Sequence, residues 1–144
     1  MDDPLSTSPG YLLRRAASAA MGELADRLAS VDLRQVEAST LLLVGCTPGI
    51  TSRQLGDVLG IKSANMATLM GRLETAGLIE RVQLDGRTQG IHLSPAGRTQ
   101  LAQAQAILDQ FESELLESVP ETARPHLITA LKAIWFWAQD RSER

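Results

Sequence analysis

The sequence predicts a mainly α-helical chain broken once by a small β-hairpin. Three observations carry this. Ala and Leu dominate the apolar residues while aromatics make up only 3% of the chain, a balance that suits helices better than a sandwich or barrel. Apolar residues recur at three- and four-residue intervals over most of the length. Only the window 78–93 changes to a period of two, around an Asp85-Gly86 turn signal.

The elements follow in order. Residues 1–10 (MDDPLSTSPG) carry Pro, Ser and Gly and read as a flexible arm. From Tyr11 to about Ala29, Leu13, Ala17, Ala20, Met21, Leu24 and Leu28 form one apolar face. Asp32 is then expected to cap a second helix, with Gln35 completing a capping box, that runs through Leu41–Val44 and ends at Gly45. Thr51 and Gln54 form another capping box, opening a short helix through Leu55, Val58 and Leu59. Gly60 follows, where a left-handed turn residue costs little. Ser63 is expected to cap the next helix, which carries Met66, Ala67, Met70 and Leu73 on one face and stops at Gly77. Leu78–Leu84 and Arg87–Leu93 read as the two strands of the hairpin. Ser94-Pro95 is an N-cap followed by Pro at the first helical position, opening a long helix to about Ser118. Pro120 and Pro125 break the chain before a last helix that carries Leu127, Ile128, Leu131, Ile134, Trp135 and Ala138 on one face.

Two short helices joined by a Gly-containing turn and followed directly by a hairpin make a winged helix-turn-helix, expected over 32–94. The flanking segments 11–31 and 95–144 present more apolar surface than that small core can cover. They are expected to be dimerisation helices, intertwined with the winged core as one domain in a homodimer. Trp135 fits the apolar stripe of its helix and Trp137 lies about 200° away (at 3.6 residues per turn). One is expected to pack within the subunit and the other at the interface between subunits.

Other classes are excluded or left without support. A single cysteine, Cys46, rules out an internal disulfide, and two histidines, His92 and His126, give no metal-ligand cluster. No phosphate loop, nucleophile elbow or supported acid pair is present, so the chain does not read as an enzyme, and no cofactor is expected. No apolar run approaches the roughly 20 residues that span a bilayer, and the acidic start (Asp2, Asp3) does not resemble a signal peptide. A cytoplasmic protein without a membrane partner is expected.

Net charge is −3, but its distribution is uneven. Between Arg53 and Arg98 six bases (Arg53, Lys62, Arg72, Arg81, Arg87, Arg98) face four acids, whereas Thr99–Ala123 contains no base and five acids. A basic middle with acidic flanks suits an approach to phosphates by the middle alone.

The most specific residues are Arg72-Leu73-Glu74, Gly77-Leu78-Ile79-Glu80-Arg81, Asp85-Gly86-Arg87, Leu93-Ser94, Gly97 and Leu101. Together they resemble the MarR family of bacterial winged helix-turn-helix transcriptional regulators, over nearly the whole chain. The resemblance implies a homodimer with a winged helix in each subunit that binds double-stranded DNA. Three positions depart from the family pattern: the wing is short between Arg81 and Asp85, Thr68 stands where many members carry Arg, and Ser94 replaces Thr.

The candidate DNA-binding residues are Ser63, Ala64, Asn65 and Thr68 at the start of the second helix of the pair, with Arg72 one turn on and Arg87 in the wing. Asn pairs bidentately with adenine and Ala meets the thymine methyl in the major groove. A cation at a wing tip can enter the minor groove; Asp85 is expected to support the wing by pairing with Arg87. The resemblance also implies a small-molecule effector pocket between the dimerisation helices and the winged helix. Tyr11, Arg14, Arg15, Met21, Leu41 and Leu42 are its candidate lining, and an aromatic carboxylate is the expected ligand. A ligand-released repressor is the leading reading. The competing one is a dimeric winged-helix module for protein interaction with vestigial DNA binding; net charge, Thr68 and the short wing favour it.

Overall fold

The computed structural model describes residues 2–144. Its elements are α1 (Pro9–Ala29), α2 (Gln35–Cys46), α3 (Ser52–Leu59), α4 (Ser63–Thr75), β1 (Ile79–Asp85), β2 (Thr88–Leu93), α5 (Pro95–Ser118) and α6 (Arg124–Ser142). This is the mainly helical chain with one antiparallel hairpin that the sequence predicts. The chain divides into two compact units, one up to Leu108 and one from Asp109 to Arg144.

In the first unit the fully buried side chains include Leu28, Leu41, Leu55, Met70, Leu73 and Ile91, one or more from each of α1 to α4 and from β2. The α3–α4 pair is set by local chemistry. The Thr51 hydroxyl accepts from the Gln54 amide at 3.2 Å, and the Gln54 side chain accepts from the Thr51 amide at 3.0 Å. Gly60 then takes φ +68, as the turn requires.

Two expected caps move. Asp32 does not cap α2; it sits in the connecting turn at φ +55, and Arg34 is the last extended residue before the helix. The Glu37 side chain supplies the cap by accepting from the Arg34 amide at 2.8 Å. Likewise Ser63 is already helical. Lys62, at ψ 151, is the last extended residue, and no side chain caps α4. α1 also begins earlier than expected, at Pro9, because Pro fits the first helical turn; the local turn before it is held by Asp3, whose carboxylate accepts from the Leu5 amide at 2.9 Å.

The hairpin pairs Ile79 with Leu93 through Gln83 with Gln89, then slips so that Asp85 opposes Thr88. Ile50 adds a third short rung: the Ile91 amide donates to the Ile50 carbonyl at 2.8 Å, and the Gly49 amide to the Ile91 carbonyl at 3.0 Å. This chain passes so close that a Cβ on Gly90 would lie 2.9 Å from the Gly49 carbonyl oxygen.

In the second unit α6 buries no residue. Neither Trp135 nor Trp137 packs inside the single chain, where one of the two was expected. Trp135 is 55% exposed, stacked on Phe136 at 5.5 Å, while Trp137 is 60% exposed beneath Arg141. Side chains on consecutive helical residues point in different directions, so these three rings cannot all turn toward one core.

Candidate nucleic-acid interface

α4 is amphipathic in a way that leaves one face free. Met66, Leu69, Met70 and Leu73 are buried at helical spacing, which turns Ser63, Ala64, Asn65 and Thr68 to solvent. The Asn65 side chain makes no hydrogen bond among the described residues, so its amide oxygen and NH2 are both available. The Thr68 hydroxyl donates to the Ala64 carbonyl at 3.4 Å and keeps its lone pairs. All four lie within two turns of the helix start; Ala64, Asn65 and Thr68 share one side within about 100° of arc, and Ser63 flanks it at the first helical position.

Arg72 is placed differently. Its Nη2 lies 3.4 Å from Glu37 Oε2, an ion pair between α4 and α2. The carboxylate, 12% exposed, thus holds Arg72 with one oxygen and the Arg34 amide with the other.

At the wing, Arg87 is exposed beside the turn and has no ion-pair partner among the described residues. The expected pair between Asp85 and Arg87 is not formed. Asp85 occupies the last strand position opposite Thr88, past the slip in register, while Arg87 belongs to the turn. The turn is held instead by the Gln83 side chain, which donates to the Gly86 carbonyl. Arg81, in the body of the wing, pairs with Glu74 at the end of α4.

Two cations escaped the motif reading. Arg53 on α3 and Lys62 immediately before α4 are exposed and unpaired among the described residues. Arg53 lines a cavity of about 390 Å³ with Ser52, Gly56, Asp57, Ile61, Ser63 and Met66. Their signal was the basic middle of the sequence, which does not say which bases stay free.

The candidate effector residues have different surroundings within the single chain. Leu41 is fully buried core. Arg14 lies over the Tyr11 ring at 5.5 Å, and Arg15 is exposed on the same helix. Met21 receives the Gln35 side-chain amide at 2.7 Å. Leu42 lines a groove of about 400 Å³ shared with Gly45, Cys46, Leu93, Arg98 and Leu101. Cys46, the last residue of α2, is exposed and unbridged. Among the described residues no helix is long and apolar enough to cross a membrane.

A MarR family model matches residues 31–88. Among curated proteins nothing matches. Among solved structures, CouR from Rhodococcus jostii RHA1, bound to p-coumaroyl-CoA, is 26% identical, over 92% of this chain and 95% of that one at a TM-score of 0.81; a transcriptional repressor CouR bound to p-coumaroyl-CoA is 28% identical, over 93% and 96%, at 0.79. A MarR-family transcriptional regulator from Rhodococcus sp. RHA1 is 25% identical, over 92% of this chain and 96% of that one, at a TM-score of 0.79. The MepR–DNA complex of S. aureus, 20% identical over 92% of this chain and 99% of that one, shares the fold at a TM-score of 0.83. The family model and the solved structures bear out the sequence resemblance to the MarR family, over residues 31–88 for the model, and the winged helix-turn-helix fold.

Proposed function

We propose that the chain is a sequence-specific DNA-binding transcriptional repressor, a homodimer released from a pseudo-palindromic operator by a small organic anion. The observation that carries this is the solvent-facing patch Ser63, Ala64, Asn65 and Thr68 beside a hairpin whose Arg87 is free. The helix start suits the major groove and the wing cation the adjacent minor groove. Arg53 and Lys62 add phosphate contacts, and Arg72 supports the helix from behind through Glu37 rather than touching DNA.

The homodimer is supported by α6. Ile128, Leu131, Ile134 and Trp135 are 64%, 44%, 42% and 55% exposed, an apolar face that a second copy would cover. The division into dimerisation helices (11–31, 95–144) and winged helix (32–94) belongs to the same proposal. Ligand release is supported by the groove beside Leu42: its walls are apolar, and Arg98 at its rim offers a guanidinium to a carboxylate. CouR, similar at 28% identity, is a repressor solved with an acyl thioester of an aromatic acid.

A gel shift on the region upstream of its own gene, repeated across salt concentrations, tests the reading. Specific binding with a steep salt slope supports it. Failure to shift any duplex, at every salt concentration, favours the protein-interaction module. Light scattering showing a 15.6 kDa monomer at micromolar concentration would remove the dimer.

A further inference from the structure

The end of α4, the base of the wing and the start of α5 meet at one buried hydroxyl. Ser94 is only 6% exposed. Its Oγ accepts from the Gly97 amide at 2.9 Å and donates to the Gly77 carbonyl at 2.5 Å. Its own amide donates to the Leu78 carbonyl at 3.0 Å. Gly77 and Leu78 are the residues that turn α4 into β1: Gly77 takes φ +73, and the Leu78 amide reaches back to the Leu73 carbonyl at 3.0 Å. Ser94 itself is the single residue between β2 and α5.

Capping α5 needs only the bond to Gly97. The bond to Gly77 is a second one, to a carbonyl 17 residues away in sequence, and capping does not require it. Gly97 closes the joint from the other side. A Cβ there would lie 2.0 Å from the Leu78 carbonyl oxygen and 3.0 Å from its carbon. Backbone meets backbone, so no flexible side chain can give way. Ile79 pairs with Leu93 at the same level, and the ends of four elements are thereby held within a few residues of one another.

We propose that Ser94 is a positioning residue for DNA recognition. It makes α4, the wing base and the first turn of α5 one rigid body, which presents the Asn65 patch and Arg87 at a fixed mutual angle and passes any displacement of α5 to both. This rests on the DNA-binding reading of α4 and the wing. Two elements that must enter neighbouring grooves at once bind tighter when their relation is set beforehand, because the second contact then costs less ordering.

The test compares full-length Ser94→Ala and Ser94→Thr on operator and scrambled duplexes. Ser94→Ala is expected to lose about tenfold in operator affinity while scrambled DNA changes by about twofold or less. Ser94→Thr keeps the hydroxyl and is expected to retain operator binding. In the Ser94→Ala background, Arg87→Ala is expected to cost less operator affinity than it does in the parent, because the wing no longer docks in step with α4. A serine that only stabilises the fold would lower the melting temperature yet leave the operator-to-scrambled ratio and the Arg87 effect unchanged, and that result overturns the proposal. Hydrogen exchange on the unmutated chain decides the matter even if Ser94→Ala does not fold. The amides of Leu78, Ser94 and Gly97 are expected to open together with the last turn of α4. Independent opening of the first turn of α5 overturns the rigid joint. An unmutated chain that shifts no duplex instead overturns the DNA reading, and with it the role in recognition, a failure distinct from that of the joint.

Discussion

Arg72 of α4 and Glu37 of α2 form an ion pair at 3.4 Å across two helices, and the carboxylate is nearly enclosed while the guanidinium is 39% exposed. Such a pair costs more to break from one side than it contributes when whole, because the enclosed charge loses its partner. Arg72→Ala is expected to destabilise the chain by roughly 1–2 kcal/mol, discounted for the exposed guanidinium. Adding Glu37→Gln should recover part of that loss. Urea melts of the two single variants and the double variant measure this. The salt slope of DNA binding should stay the same in Arg72→Ala; a drop of about one unit per subunit would place Arg72 on a phosphate.

Asn65 stands in the exposed patch without a hydrogen-bond partner among the described residues. Asn65→Ala is expected to weaken operator binding by about 1–3 kcal/mol and to leave scrambled DNA nearly unchanged, since a lost base contact carries sequence information and a lost phosphate contact does not. Fold stability should hold, because the side chain touches nothing that the core needs. Equal losses on both duplexes would assign Asn65 to the backbone.

Arg87 tests the wing. Arg87→Ala is expected to weaken binding to all sequences and to lower the salt slope by about one unit per subunit, as one released counterion per cation implies. An unchanged slope would mean that this short hairpin does not reach the duplex. Gln83→Ala should produce a smaller loss of the same kind, because the Gly86 carbonyl that Gln83 holds lies next to Arg87.

What the sequence made legible was chemistry between near neighbours. The Thr51–Gln54 box, the left-handed Gly60, the Asp85-Gly86 turn and the Ser94-Pro95 start are all decided within four residues. Asp32 and Ser63 show the limit of that logic. Both are good capping residues, yet the cap falls where the backbone leaves the extended region, and the path of the chain from α1 and α3 puts that point at Arg34 and Lys62. Partners far apart in sequence were beyond reach. Nothing near Arg72 points to Glu37, and nothing near Ser94 points to Gly77. For the same reason the surroundings of the expected effector residues could not be read from the sequence. Periodicity put Leu41 and Leu42 side by side, but only packing shows that one is core and the other lines a groove.

That groove sets the last expectation. Its walls, Leu42, Leu93 and Leu101, come from α2, β2 and α5, and its cation, Arg98, is one residue beyond Gly97. A phenolic acid with its ring on the leucines and its carboxylate on Arg98 would wedge against both the wing strand and α5. In a dimer whose reading helices must meet half-sites about 34–36 Å apart, a shift of a few ångströms (on the order of a tenth of that spacing) prevents both from docking together. A preference for the undocked spacing of about 1–3 kcal/mol weakens DNA binding about 5- to 150-fold, and linkage requires operator DNA to weaken the ligand by the same factor. A thermal-shift panel of phenolic acids, followed by titration with and without operator, measures both directions. Arg98→Ala is expected to lose about tenfold in ligand affinity through the missing charge-assisted pair. A ligand that binds free and DNA-bound protein equally well would exclude regulation through this groove, however tightly it bound.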